Sequence, residues 1–421
     1  MKVFKFGGAS ISNMDRIAQA GDILKTYGGQ KILVVVSAMG KTTNSLEKVA
    51  EAFYNGQQDE ALTLFEAIKK NFLTLANYLL VKGYNDAYAQ ALDIFTEVEW
   101  LLHDRPVRSF DYYYDQIVCS GELLSSIVVS AYFNEAGIRN TWVDVRDILR
   151  TDNRFRDASI DWLFTQEKIN TAFIPLFDVS DIVITQGFIG ATAENESSTL
   201  GREGSDYSAA VFANMLQASE LTIWKDVAGV MSADPREFPQ ATAIPHLSYE
   251  EVIEMAYYGA QVIHPKTIKP LQNKNIPLQV KCFLDRELPG TLISDQQTPD
   301  LPPIIVIKRN QALISLHTLD FSFAGEKPIA ALYRLLAGAH MQPNLLQTGA
   351  IRIEICVDDK DDKIEKLALA ASTIFDVQVE RGLSLLTIRH YREDSIAQLT
   401  DGKKIRLRQQ TPKTAQLVLA D

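Results

Sequence analysis

The stretch that decides how the chain is interpreted is Thr199-Leu-Gly-Arg-Glu-Gly-Ser-Asp-Tyr-Ser-Ala-Ala210. It places two glycines, one arginine and one aspartate ahead of a helical pattern, in which apolar residues from Ala209 to Leu216 recur on one face. Ser205 and Asp206 are therefore expected near the N-terminus of that helix, where free N–H groups and the helix dipole favour negative charge. Two interpretations stay open here: a capped surface helix or an anion-binding turn.

The composition excludes several classes of protein. The 421 residues are 46% hydrophobic and 23% charged, an ordinary globular mixture with room for about two to three domains. A formal net charge of -11 without a long basic run argues against nucleic acid as a partner. The N-terminus has no signal-peptide pattern and no uninterrupted apolar stretch suggests a membrane span, so we expect a cytoplasmic protein. Three widely spaced cysteines argue against a disulfide framework and a zinc site.

Strand and helix patterns alternate along roughly the first 290 residues, with a long helical segment over residues 46–104. This alternation predicts an α/β fold with an open, largely parallel sheet covered by helices, which we assign to a catalytic domain over residues 1–296. In such sheets ligands bind outside the carboxyl ends of the strands, where the polar clusters of this chain fall. The apolar strand patterns that precede these clusters cover residues 3–6, 31–37, 181–186, 220–224 and 277–283.

The pattern changes in the proline-rich segment before residue 304, which predicts a linker over residues 297–303. Residues 304–382 follow with strands and helices in the order βαββαβ, a ferredoxin-like unit. Residues 383–421 show further strand patterns and are too few for a second complete unit. We therefore predict a truncated second unit made of strands only.

Six motifs follow one another along the first 265 residues. They are Lys5-Phe-Gly-Gly-Ala-Ser10, Val36-Ser-Ala-Met-Gly40, Thr185-Gln-Gly-Phe-Ile-Gly190, Thr199-Leu-Gly-Arg-Glu-Gly-Ser-Asp-Tyr207, Asp226-Val-Ala-Gly-Val-Met-Ser-Ala-Asp-Pro-Arg236 and Tyr258-Gly-Ala-Gln-Val-Ile-His-Pro265. In this order they resemble the motifs of the aspartate kinases, and the ferredoxin-like region is similar to the ACT regulatory module of that family. The resemblance implies an amino-acid-kinase fold and transfer of the ATP γ-phosphate to the β-carboxylate of L-aspartate. The implied product is 4-phospho-L-aspartate, in the first step toward lysine, threonine and methionine.

Phosphoryl transfer to an ionised carboxylate needs positive groups and N–H donors rather than a strong base. Lys5, beside a glycine turn, is a candidate cation for the transferring phosphate, and its alternative role is to solubilise an edge strand. The N–H groups of Gly7 and Gly8 can approach the phosphates. Asp206 is the second candidate catalytic residue; it could orient Lys5 or assist magnesium.

The resemblance also implies a binding site for the substrate. Arg202 would bind the α-carboxylate of aspartate through two N–H groups, and Glu122 would bind the α-amino group. A glutamate in the first turn of a helix is also explained by the helix dipole alone, so both interpretations of Glu122 stay open. Ser37, Thr43 and Ser205 match family positions at the substrate end of their elements.

At the nucleotide the resemblance places Lys225, Asp226, Met231, Arg236 and Gln261. Two of these depart from the family pattern, because Gln261 stands where many relatives have lysine and Met231 where tyrosine is common. Lys266 could replace the missing charge or be a surface residue. Magnesium is expected mainly on the ATP phosphates, with no metal site built by the protein. His264 is expected to be structural, since a carboxylate acceptor has no proton to remove.

The family resemblance implies a homodimer or larger homo-oligomer and an amino-acid effector, lysine or threonine, at the ACT region; the truncated tail puts effector binding in doubt. We expect a monofunctional enzyme without a homoserine dehydrogenase domain. Two other functions remain open. One is another kinase of the same fold, acting on glutamate, N-acetylglutamate, carbamate or UMP. The other is a weakly catalytic amino-acid sensor, motivated by Gln261 and Met231.

Overall fold

The computed structural model describes residues 1–260, 263–319 and 322–420, which form two compact units. The first unit comprises Met1–Val230, Ala243–Ile253 and Val262–Gln297. The second comprises Met231–Thr242, Glu254–Gln261 and Thr298–Asp421. The division at the end of the first unit falls at the predicted linker, and two earlier segments of the predicted catalytic domain join the second unit.

Up to residue 297 the chain alternates between helices and short strands, as predicted. The strands are β1 (Lys2–Phe6), β2 (Ile32–Val36), β3 (Asn140–Trp142), β4 (Ile182–Gln186), β5 (Ile189–Ala191), β6 (Ser197–Thr199), β7 (Glu220–Lys225), β8 (His246–Ser248), β9 (Leu278–Cys282) and β10 (Thr291–Ser294). The helices are α1 (Met14–Lys25), α2 (Thr42–Tyr54), α3 (Gln58–Leu79), α4 (Tyr84–His103), α5 (Phe110–Val118), α6 (Ser120–Glu135), α7 (Trp162–Lys168), α8 (Gly204–Met215), α9 (Tyr249–Tyr257) and α10 (Pro265–Gln272).

The first unit is built on an eight-stranded sheet with the order β3-β4-β2-β1-β7-β9-β10-β8. Neighbouring strands run parallel from β3 to β9, while β10 is antiparallel to β9 and parallel to β8. Strands β2 and β4 are buried at every residue, because helices such as α6 and α8 pack against the sheet. The predicted α/β fold with a largely parallel sheet is confirmed.

One helical stretch of the described residues, Phe110–Glu135, is long and apolar enough to cross a membrane by length and composition. Of its most apolar window, 83% is buried inside the protein. The stretch contains α5 and α6, and α6 packs against α4 and against strands of the sheet. Its apolar character is therefore that of a core helix.

The second unit carries an antiparallel six-stranded sheet with the order β12-β13-β11-β14-β16-β15. Its first part has the predicted order βαββαβ, with α11 and α12 packed on strands of the sheet through a cluster that includes Leu332, Leu367 and Phe375. The elements are β11 (Ile304–Thr318), α11 (Glu326–Gly338), β12 (Leu345–Thr348), β13 (Arg352–Asp358), α12 (Asp361–Ala371), β14 (Phe375–Arg389), α13 (Glu393–Thr400), β15 (Lys404–Gln410) and β16 (Thr414–Ala420).

The tail differs from the prediction in two ways. The expectation of strands only is wrong, because α13 is a helix whose Ile396 packs with apolar residues of β14 and β16. Second, the two strands predicted on either side of Gly382 are the single strand β14, in which Gly382 has a φ of 71°. A register shift in β11 lies opposite this glycine, and residues 304–308 pair with 385–389, so β11 and β14 extend through both halves of one sheet.

Candidate active site

Most of the predicted site residues meet in one cavity of the first unit, with a volume of about 590 Å³. It opens at the carboxyl ends of β1, β2 and β7, which are neighbours in the sheet and run parallel. The position of the cavity therefore follows from strand order. Eleven predicted residues line it: Lys5, Gly7, Gly8, Ser37, Thr43, Glu122, Arg202, Ser205, Asp206, Lys225 and Asp226.

Asp206 lies between two lysines at the base of this cavity. Its Oδ1 is 2.6 Å from Nζ of Lys5 and its Oδ2 is 3.5 Å from Nζ of Lys225. Burial disfavours the ionised form of Asp206, but the charges of Lys5 and Lys225 outweigh burial and lower the pKa of this carboxyl below its ordinary value. The aspartate is therefore ionised, and each of its oxygens faces an ammonium group.

The Gly7–Gly8 turn brings the ends of β1 and β2 together. A Cβ at Gly8 would lie 2.5 Å from the carbonyl oxygen of Ala38, and Gly40 donates its N–H to the carbonyl of Gly8 at 3.0 Å. A Cβ at Gly7 would lie 3.5 Å from Nζ of Lys5. Gly8 is thus needed for the two loops to approach each other, and Gly7 leaves the space beside the ammonium group of Lys5 open.

Glu122, in the first turn of α6, lines the cavity although its side chain is buried. Its Oε1 accepts the N–H of Ala38 at 3.3 Å, while its Oε2 has no hydrogen-bond partner among the described residues. Burial raises the pKa of Glu122 to about 8, against the N–H of Ala38 and the charge of Lys5, which lower it. The helix dipole alone does not account for a buried carboxyl with one unsatisfied oxygen, which is suited to a cationic ligand.

The stretch from Gly201 to Asp206 forms a tight turn into α8. This helix begins at Gly204, so Ser205 and Asp206 lie in its first turn, near the N-terminus as the sequence predicts. Gly201 has a φ of 77°, and a Cβ there would lie 2.9 Å from Oδ1 of Asp157. A Cβ at Gly204 would lie 2.7 Å from Cδ2 of Phe188. Arg202 is exposed in the turn, lines the cavity and makes no ion pair with a carboxylate of the described residues. Its guanidinium is thus available for an anion.

His264 and Lys266 have structural contacts. Nδ1 of His264 accepts the N–H of Lys266 at 3.2 Å, which caps α10, and the N–H of His264 donates to Oε2 of Glu203 at 2.8 Å. Nζ of Lys266 lies 2.5 Å from Oδ1 of Asp157 and 3.3 Å from the carbonyl of Leu200. Neither residue is among the described residues that line the cavity, and Lys266 is held by its own carboxylate partner.

Two predicted nucleotide residues, Met231 and Arg236, are not among the described residues that line the cavity of the first unit. Met231 and Arg236 belong to the second unit, where the exposed guanidinium of Arg236 pairs with Asp234 at 2.6 Å. Gln261 lies outside the described residues. A role for these three residues at the nucleotide stays a prediction.

The sequence interpretation missed several residues that line the cavity. Tyr114 in the middle of α5, Arg156 in the loop before α7 and Phe188 after β4 belong to none of the predicted site positions. Tyr114 follows a run of aromatic residues that reads as helix core, and Arg156 stands in a polar loop without a motif. The one sequence signal for Phe188 is its place between glycines of the third motif.

The described residues include no group of three or more His, Cys, Asp or Glu side chains that could hold a metal ion. Within the cavity, both oxygens of Asp206 are directed at lysines. The donor set is therefore rich in cations and N–H groups and lacks an oxygen cage of the kind that divalent cations require. It fits a metal that arrives bound to phosphates.

Residues 1–282 match the model of the amino acid kinase family. Among curated proteins, the chain is 30% identical over 395 residues to the lysine-sensitive aspartokinase 3 of Escherichia coli (strain K12), an alignment that covers 92% of this chain and 86% of that protein.

Two solved structures of E. coli aspartokinase III are also similar to the chain. The complex with aspartate and ADP (R-state) has a TM-score of 0.82 at 27% identity and covers 100% of this chain and 96% of that one. The complex with lysine and aspartate (T-state) has a TM-score of 0.81 at 27% identity and covers 99% and 95%. The chain therefore belongs to the amino acid kinase family and, within that family, to the aspartokinases.

Proposed function

We propose that the chain is an ATP-dependent aspartate kinase, which transfers the γ-phosphate of ATP to the β-carboxylate of L-aspartate. The product is 4-phospho-L-aspartate, the first intermediate on the route to lysine, threonine and methionine. The observation that carries the proposal is the contact of the buried Lys5 and Asp206 with each other and with the partly exposed Lys225, in the same cavity as Glu122 and Arg202. Similarity to an aspartokinase structure with aspartate and ADP supports it.

The charges of the cavity suit this reaction. The β-carboxylate is ionised near neutral pH, so its oxygen can attack the γ-phosphorus directly while the bond to the bridging oxygen breaks and ADP leaves. The main obstacle is repulsion between two anions, which Lys5 and Lys225 offset in the transition state. Asp206 holds the ammonium group of Lys5 at 2.6 Å, so that its position is fixed before the substrates bind.

Substrate and nucleotide use different parts of the cavity in this proposal. The free guanidinium of Arg202 binds the α-carboxylate, and the unsatisfied Oε2 of Glu122 accepts the α-ammonium group. The hydroxyl groups of Ser37, Thr43 and Ser205 contribute further hydrogen bonds to aspartate. N–H groups of Gly7 and Gly8 and the side chains of Lys225 and Asp226 face the nucleotide.

Magnesium would reach the site on the ATP phosphates and would neutralise part of their charge. The described residues offer no cage for it. Asp206 is engaged by Lys5 and Lys225, so we assign it to the orientation of Lys5 rather than to the metal.

The decisive experiment traps the acyl phosphate with hydroxylamine in the presence of ATP and magnesium. L-Aspartate is expected to give the hydroxamate, whereas L-glutamate and N-acetyl-L-glutamate are not. Carbamate and UMP are tested by ADP release, because their products are not trapped in the same way. Hydroxamate formation with glutamate and not with aspartate would replace this proposal with another kinase of the fold.

We further propose that the ACT-like second unit binds an amino-acid effector, lysine or threonine, and that the chain forms a homodimer or a larger homo-oligomer. The lysine complex of the similar E. coli enzyme supports lysine as the first effector to test. Aspartate-dependent ADP release measured with added lysine, threonine or methionine distinguishes the candidates, and light scattering gives the oligomeric state. Unchanged rates at saturating concentrations of all three amino acids would contradict the effector proposal.

A further inference from the structure

A second guanidinium lines the same cavity as Arg202. Arg156 has a φ of 67°, a left-handed backbone conformation that a non-glycine residue adopts only where its surroundings hold it. Its guanidinium carbon lies 4.4 Å from the ring centre of Tyr114, and Nη1 pairs with the exposed Asp111 at 3.1 Å. The aromatic contact fixes the plane of the guanidinium, and the N–H groups that do not pair with Asp111 can bind an anion in the cavity that Arg156 lines.

Asp115 holds the backbone of Arg156 in this conformation. Its side chain is fully buried, and its Oδ2 accepts the N–H of Arg156 at 3.0 Å and the N–H of Thr199 at 2.8 Å. Its Oδ1 accepts the hydroxyl of Thr199 at 2.7 Å. A single carboxylate thus connects the loop of Arg156 to the strand that leads directly into the turn of Arg202.

Further contacts join these two segments. Ala158 donates its N–H to the carbonyl of Thr199 at 3.0 Å, and a Cβ at Gly201 would lie 3.1 Å from the carbonyl of Arg156. The loop of Arg156 therefore packs directly against the Gly201 turn, beside Arg202. Both guanidiniums lie on the part of the cavity that the proposed function gives to the amino-acid substrate.

We propose that Arg156 is a specificity-determining residue that binds the carboxylate of the amino-acid substrate together with Arg202, and that Asp115 is the residue that positions it. The inference rests on the proposed function, because it names a further contact of the same substrate. Lys5 and Lys225 face Asp206 and serve the phosphates, so the substrate's remaining carboxylate needs cations of its own. Two guanidiniums on different loops select an acceptor with a second carboxylate.

The test compares Arg156→Gly with the wild type in the hydroxamate assay. Glycine tolerates the left-handed φ, so the variant removes the guanidinium without straining the backbone. We expect the KM for aspartate to rise about tenfold or more, the effect of a lost charge-assisted hydrogen bond, with the KM for ATP within about twofold of wild type. Arg156→Lys is expected to have a KM for aspartate between those of Arg156→Gly and the wild type, because lysine keeps the charge but cannot donate two parallel hydrogen bonds to a carboxylate.

The matched control is Arg154→Ala in the same loop. Arg154 is exposed, pairs with Asp152 at 3.0 Å and does not belong to the described lining of the cavity, so both KM values should stay at wild-type levels. An Arg156→Gly enzyme with an unchanged KM for aspartate would overturn the inference while leaving the proposed function intact. A wild-type protein without aspartate-dependent hydroxamate would refute the proposed function, and the inference with it.

The positioning role of Asp115 has its own readout. Asp115→Ala removes all three accepted hydrogen bonds and should raise the KM for aspartate as Arg156→Gly does, with the KM for ATP little changed. In Asp115→Asn the amide oxygen can still accept both N–H groups, so we expect the KM for aspartate of this variant to be close to that of the wild type. Equal KM values for aspartate in Asp115→Ala and the wild type would contradict the assignment. If substitution of Asp115 instead disrupted the fold as a whole, the KM values for aspartate and for ATP would both change, and the unfolding temperature of Asp115→Asn would fall below that of the wild type.

Discussion

The ammonium group of Lys5 lies 2.6 Å from Oδ1 of Asp206, and the two side chains are only 10% and 5% exposed. Lys2, three residues earlier on the same strand, pairs with Glu220 at 3.1 Å, but the side chains of Lys2 and Glu220 are each 24% exposed. The two pairs have similar distances and different surroundings. Because water screens the Lys2 pair and not the Lys5 pair, only the latter holds a charge rigidly inside the cavity.

The first prediction concerns this buried pair. Asp206→Asn removes the carboxylate that holds the ammonium group of Lys5, so this cation is no longer fixed in position for the transfer step. We expect kcat to fall by about 100-fold to 1,000-fold, with a much smaller change in the KM for aspartate. Lys2→Ala on the same strand is the control and should leave kcat unchanged. Steady-state ADP release measures both; a kcat near wild type in Asp206→Asn would remove Asp206 from the catalytic residues.

The second prediction concerns Arg202. Its guanidinium makes no ion pair with a carboxylate of the described residues and lines the cavity, so Arg202→Ala removes the proposed substrate contact without breaking an ion pair of the protein. We expect a loss of about 3 kcal/mol in kcat/KM for aspartate, expressed mainly in KM, and no loss in thermal stability. Purified Arg202→Ala with a normal KM for aspartate would show that another group binds the α-carboxylate.

The third prediction concerns the pH dependence of aspartate binding. Because burial raises the pKa of Glu122 to about 8, this side chain holds a proton in the free protein near neutral pH. The α-ammonium group binds the ionised form, so the substrate must expel that proton. The KM for aspartate should therefore fall as the pH rises from about 6 to about 8, by up to about tenfold per pH unit, and level off above that range.

Kinetics from about pH 6 to about pH 9 measure this effect, and Glu122→Gln is the matched variant because it cannot ionise. Its KM should be high and insensitive to pH over the range in which the wild type changes. Calorimetry of aspartate binding in two buffers with different ionisation enthalpies should detect release of about one proton at the acidic end of this range. A flat KM profile for the wild type would show that Glu122 is already ionised in the free enzyme.

The arrangement of the catalytic end of the site could be predicted from the sequence for a physical reason. Parallel strands bring their carboxyl ends to one edge of the sheet, so residues such as Lys5, Ser37 and Lys225 meet although they are far apart in the chain. Arg156 could not be predicted in the same way. Its place depends on a left-handed backbone and on a hydrogen bond to Asp115, and neither leaves a periodic pattern in the sequence.

The second unit shows the same limit. Residues 304–308 follow a proline-rich segment and pair with 385–389, so the first residues of β11 supply a strand to the tail's half of the sheet. Long-range pairing of this kind has no local signal. Helix α13 has only eight residues, and its apolar face consists of little more than Ile396 and Leu399, which is too short a pattern to identify a helix.

The last prediction concerns Gly8, whose role is steric. A Cβ at this position would lie 2.5 Å from the carbonyl oxygen of Ala38, a backbone atom that cannot move without displacing the loop after β2. Gly8→Ala is therefore expected to lower the free energy of unfolding by about 1 to 3 kcal/mol, as overpacking does, and to reduce kcat because the same loops form the cavity. Gly28→Ala is the matched control, since its Cβ would meet only an ordinary contact at 3.6 Å from the carbonyl of Lys25. Denaturant unfolding of both variants compares the two positions. Equal free energies of unfolding for the two variants would mean that the two loops can move apart without loss of stability. The close approach at Gly8 would then not determine the shape of the phosphate end of the cavity.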